Sequence, residues 1–141
     1  MSNLQQPTPS GNPGNLARAF QQDNNPIWQL SAVLSQFQDD GDYEWIRELI
    51  DCCLSDTQQR LTLLREGARN GSFETISAQA HTLKGSARDI GAAAMSEICR
   101  EIEQKARARE VGDYQTLASQ LESSVDDLQR VLVAYRSSLP G

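Results

Sequence analysis

The sequence predicts an all-α protein: an antiparallel up-down four-helix bundle with a short additional N-terminal helix covering one end. Three observations lead there. From residue 27 onward, apolar residues recur at steps of three and four, the spacing that keeps one face of a helix apolar. Leu, Ala, Gln and Arg are plentiful and only 6% of residues are aromatic, a make-up that suits helices better than strands. Short breaks rich in Gly, Asn and Asp separate the apolar stripes, and short connections make consecutive helices antiparallel neighbours.

Taken in order, residues 1–26 carry Pro7, Pro9, Pro13 and Pro26 among Gln, Asn, Ser and Gly. Such a segment buries too little apolar surface to offset its ordering entropy, so a flexible N-terminal arm is expected over 1–26. Leu16 and Phe20, four apart, are spaced for one helical turn that docks on the bundle. The helical domain is expected over 27–139. Ile27, Leu30, Leu34 and Phe37 form its short first segment, ended by Asp39-Asp40-Gly41-Asp42. Asp42 is placed to cap the next helix, with Glu44 in the first turn. That long helix has Ile46, Leu49, Cys53, Thr57, Leu61, Leu64 and Ala68 on one face and closes at Asn70-Gly71. Ser72 caps the third helix, whose stripe is Ile76, Ala80, Leu83, Ala87 and Ile90, broken by Gly91. The fourth runs Met95, Ile98, Ile102 and Ala106 and ends near Gly112. Asp113 starts the last, with Tyr114, Leu117, Leu121, Val125, Leu128, Leu132 and Tyr135, and Pro140 stops it. These stripes satisfy one another within one bundle, which favours a monomer.

Charge and composition remove several classes of function. A formal charge of −6 over 141 residues opposes nucleic-acid binding and requires any phosphate site to be local. The three cysteines, Cys52, Cys53 and Cys99, form no CxxC pair and read as reduced, buried, small apolar residues. No signal peptide and no membrane-spanning apolar run is visible, so a cytoplasmic location is expected. One histidine cannot build a multi-histidine metal site, and adjacent Cys52 and Cys53 diverge by about 100° on a helix. No metal site is therefore expected, and no Gly-rich nucleotide loop or nucleophile elbow is present.

The lone histidine, His81, lies about 200° around its helix from the core residue Leu83, which directs it to solvent. Lys84, Gly85 and Arg88 follow at i+3, i+4 and i+7 on the same face. Imidazole, with an ordinary pKa of about 6.5, offers a neutral nucleophilic nitrogen at cellular pH. A mid-helix glycine costs about 0.5–1 kcal/mol relative to alanine. On an exposed face Gly85 clears space for a partner approaching the ring; on a buried face it would mark a close helix contact. Lys84 would offset the charge of a phosphoryl group on His81, and Arg88 would add to that, unless each is simply a solvated cation.

The run His81-Thr82-Leu83-Lys84-Gly85-Ser86-Ala87-Arg88-Asp89-Ile90-Gly91-Ala92 resembles the signature of the histidine-containing phosphotransfer (HPt) domains. The likeness continues through Met95, Cys99, Ile102 and Glu103, where the family shows an apolar, a small or cysteine, an apolar and an acidic residue. It covers roughly residues 27–137 and is sharpest over 80–103. The resemblance implies a phosphorelay intermediate: His81 accepts a phosphoryl group from the aspartate of a receiver domain and passes it to another receiver. It implies that Lys84 orients the phosphate and that Gly85 permits close docking. Ser86 is left between a hydrogen bond near the site and simple packing. Partners would be receiver domains of response regulators and hybrid histidine kinases. The module itself would be no enzyme and would need no cofactor, since Mg²⁺ and the catalytic groups belong to the receiver. Arg88 and Asp89 stand where the family commonly has a small residue and asparagine, at the expected receiver-docking edge. The phosphoacceptor domain of a histidine kinase fits less well, because its acid and Arg-[Thr/Asn]-Pro turn are replaced by Thr82-Leu83-Lys84-Gly85. A helical adaptor without phosphate chemistry would not need His81, Lys84 and Gly85 together.

Overall fold

The computed structural model describes residues 26–141, so the reading of residues 1–25, with Leu16 and Phe20, lies outside the described residues. Five helices follow: α1 (Ala32–Asp39), α2 (Tyr43–Asn70), α3 (Phe73–Ile90), α4 (Ala93–Arg107) and α5 (Tyr114–Ser138), with no strand among the described residues. Helix α2 packs on α3 and α5, and α4 packs on the same two, which closes the four long helices into an antiparallel ring. The core residues inside that ring are almost fully buried. Each Leu, Ile or Val so placed contributes about 1.5–3 kcal/mol relative to exposure.

Helix ends follow local chemistry. Ser72 accepts from Thr75 N–H at 3.2 Å and Asp113 from Thr116 N–H at 3.0 Å, each satisfying an orphan donor. Gly71 closes α2 in the left-handed region at φ 70°. Asp42 stands at the N-cap of α2, but its side chain makes no capping bond, which corrects the expected role.

The α3 stripe is buried as its 4-3-4-3 spacing predicts. The other stripes are buried at most of their predicted positions and displaced by one at a few. On α2, Ile50 and Gly67 are buried while Leu49, Cys53 and Ala68 are only half-buried. On α4, Cys99 and Glu103 are buried and Ile98 is half-buried, and the helix ends at Arg107 rather than near Gly112. On α5, Ala118 replaces Leu117 in the core. Cys52 is exposed, contrary to the expected burial.

The segment before α1 is not helical, and it acts as a strap. Trp28, absent from the predicted stripe, is fully buried and donates from its indole N–H to Ile90 O at 2.6 Å. Gln29 N–H bonds Gly91 O at 2.9 Å, and Ala94 N–H bonds Pro26 O at 2.7 Å. Carbonyls at the end of α3 and an amide at the start of α4 thereby find partners. Gly91 is required twice over: its φ is +96°, and an added Cβ would lie 2.0 Å from Gln29 O. Tyr135 packs on Trp28 and donates to the buried Gln38 Oε1 at 2.6 Å, so α1 and the strap do cover one end of the bundle.

Candidate functional site

His81 projects from the middle of α3 with its side chain 61% exposed. Three residues on, Lys84 leans further toward the α3–α4 seam, since three helical steps rotate it about 60° from the histidine. Across the seam stands Glu103 of α4, whose carboxylate is only 5% exposed. Its Oε2 accepts from His81 Nδ1 at 2.8 Å and from Arg107 Nη2 at 2.8 Å. Its Oε1 takes Lys84 Nζ at 2.7 Å. One buried carboxylate thus gathers a ring nitrogen, an ammonium and a guanidinium.

That gathering is what permits the carboxylate to be there. A buried charge is costly unless paired and hydrogen-bonded. Burial pushes the Glu103 carboxyl up, but the hydrogen bonds from Lys84 and His81 and the nearby cations outweigh it and hold it below the ordinary range. Cys99, one turn earlier and fully buried, has its thiol pushed up to about 12 by burial and by the Glu103 charge.

The geometry also decides the tautomer of the ring. An ionised carboxylate has only lone pairs to offer, so Nδ1 carries the proton. In the neutral ring Nε2 then keeps its lone pair, on the edge away from Glu103. The arrangement holds one nitrogen and leaves the other as a nucleophile.

Gly85 is exposed, and a Cβ built on it would meet nothing within 4 Å, so no helix contact demands a glycine there. Arg88 is exposed and has no ion-pair partner among the described residues. Beyond Gly85, away from the α4 seam, Asp89 and Ser86 line a groove of about 520 Å³ with Val33, Leu49, Cys52, Cys53 and Ile90. Sequence reasoning names Glu103 only as an acid matching a family pattern and omits Arg107. A carboxylate at a position that helical spacing assigns to the core was the available signal for Glu103. Nothing local marks Arg107. Among the described residues, no three His, Cys, Asp or Glu side chains converge as a metal site requires.

A helical bundle presenting one oriented imidazole on an open helix face has the arrangement a histidine phosphocarrier needs. The family model of the Hpt domain matches residues 48–131, more than half of the chain, and the chain belongs to that family. It is similar to the crystal structure of histidine-containing phosphotransfer protein B (HptB) from Pseudomonas aeruginosa PAO1, with a TM-score of 0.71 and 25% identity. That likeness covers 79% of this chain and 96% of the other. No curated protein sequence matches. Histidine phosphotransfer in a two-component phosphorelay is therefore the function, performed as a phosphocarrier alongside the receiver domains of response regulators. No described helix is long and apolar enough to cross a membrane.

Proposed function

We propose that His81 is the phosphoacceptor, taking a phosphoryl group from the aspartate of one receiver domain and giving it to another. Those receivers belong to response regulators and hybrid histidine kinases. The observation that carries this reading is the sole histidine standing exposed, with Nδ1 tied to the buried Glu103 and Nε2 free. In the forward step the Nε2 lone pair forms the N–P bond while the P–O bond of the aspartyl phosphate breaks, its electrons leaving on the carboxylate. The ring becomes a phosphoimidazolium whose Nδ1–H stays on Glu103. Onward transfer returns the N–P electrons to the ring as a new P–O bond forms. No proton moves in either direction, so Glu103 acts as an orienting group and counter-ion.

Lys84 adds a cation one turn from the ring, and Gly85 leaves the approach to Nε2 open. Arg88 extends the docking surface on the same face. Mg²⁺ and the remaining catalytic groups are the receiver's contribution. The carrier works as a monomer in the cytoplasm, its apolar stripes covered within one bundle.

Incubation with a phosphorylated receiver domain is expected to give an acid-labile, base-stable label that His81→Gln abolishes. A label of undiminished intensity in the His81→Gln protein would reject the assignment.

A further inference from the structure

The surface differs in charge on the two sides of His81. Toward the α4 seam, Lys84 and Arg107 both sit on Glu103 and are offset by it. On the other side lies the groove that Ser86 and Asp89 line, with Val33, Leu49 and Ile90 as apolar walls and Asp89 as its one carboxylate. Val33 is 54% exposed there, so the groove is open to a partner. Asp56 of α2 is tied to Arg60 at 2.9 Å. Asp89 is exposed and has no ion-pair partner among the described residues. Its neighbour Arg88 points about 100° away around α3 and leaves the carboxylate uncompensated. The charge is felt inside the groove: burial first, then Asp56 and Asp89, push the Cys53 thiol up.

A receiver that reaches His81 must also cover this carboxylate. Asp89 follows His81 by eight residues on one helix, about 12 Å along the axis. A transient interface covers about 600–800 Å² per partner, a disc about 14–16 Å in radius. Centred on the imidazole, that disc takes in Asp89 and the groove. A charge withdrawn from water without a partner is costly, so the side chain set against Asp89 decides which docking succeeds. We infer that Asp89 is a specificity-determining residue for phosphotransfer. It selects receivers that set a Lys or Arg, flanked by apolar side chains, against the groove, and it turns away those with Asp or Glu there. This rests on His81 being the phosphoacceptor. As a solvated rim charge, Asp89 acts mainly on the association rate and weakens with salt.

The test follows transfer to the full-length protein from a panel of receiver domains of the same cell, each phosphorylated with acetyl phosphate. With the receiver that serves the wild type fastest, Asp89→Lys should slow transfer roughly tenfold and Asp89→Asn roughly threefold. The gap should narrow with added salt, because screening shortens from about 10 Å at 0.1 M to about 3 Å at 1 M. Single Lys→Glu and Arg→Glu changes over that receiver's surface should include one that slows transfer to the wild type and restores it to Asp89→Lys. Equal rates for wild type and Asp89→Lys with every receiver overturn the inference. So does a slowing that salt leaves untouched and no charge reversal on the receiver rescues, since Asp89 would then be structural. A label absent from the wild type with every receiver, or one persisting in His81→Gln, overturns the phosphoacceptor reading instead.

Discussion

Helix α3 meets its two neighbours in opposite ways. Toward α2 the contact is close and largely apolar. A Cβ on Gly67 would come within 2.9 Å of Thr75 Cγ2 and 3.3 Å of Ile76 Cγ1. The polar link there is a hydrogen bond at 3.2 Å from Arg60 to Gln79 at the edge. Toward α4 the contact is more extensive and also buries apolar residues, but it carries in addition a buried carboxylate with three donors. The first seam is held by shape and burial, whose parts are exchangeable for others of similar volume. The second adds to burial a network in which removing the carboxylate strands its partners. The proposed phosphoacceptor stands at the second.

The strongest way to break this contrast is to cut each seam once. Ile76→Ala is expected to cost about 2–4 kcal/mol in urea unfolding while phosphotransfer below the transition persists. Glu103→Ala should cost about 2–3 kcal/mol, less than a fully buried pair because His81 and Arg107 are solvated. It should also lower transfer roughly 100-fold by releasing the ring from its tautomer. Equal loss of transfer in both variants would erase the distinction.

Acid sharpens it further. The folded-state pKa of Glu103 lies below the ordinary carboxylate value. Its stabilisation is therefore present above the unfolded pKa of about 4.3 and is lost as pH falls through the lower folded value. The stability advantage of wild type over Glu103→Gln should hold at neutral pH and shrink only below about pH 4. An advantage that instead vanished above pH 6 would mean that the carboxylate is not the ionised hub.

The smallest expected effect is at Gly85. With open space around it, Gly85→Gln should leave stability equal or raise it by up to about 1 kcal/mol, and should slow transfer from a receiver. Loss of stability would show that the glycine is structural after all.

The stripe of α3 was legible because its spacing admits one face only. On α2, Leu49 and Ile50 both follow Ile46 at allowed steps, and periodicity alone favoured the half-buried one. Trp28 was missed because it lies in a non-helical strap, where helical spacing has no meaning. His81, Lys84, Gly85 and Arg88 were visible through local spacing on one helix. Glu103 and Arg107 are 22 and 26 residues from His81 and reach it only across the seam, so their part in the site emerges from packing.

The strap has a consequence for anything attached to this chain. Pro26, Trp28 and Gln29 fasten the polypeptide to the α3–α4 turn, and that same hairpin carries His81 on one arm and Glu103 on the other. Ten residues of helix, roughly 15 Å, separate His81 from the fastening. A domain fused ahead of Pro26 through a short flexible linker would be leashed near the imidazole at millimolar effective concentration. The same domain joined after Gly141 would start from the same end, where Arg47 holds Pro140 O at 2.6 Å and Tyr135 packs on Trp28. A receiver appended at either terminus would thereby be delivered to the carrier from the same end of the bundle.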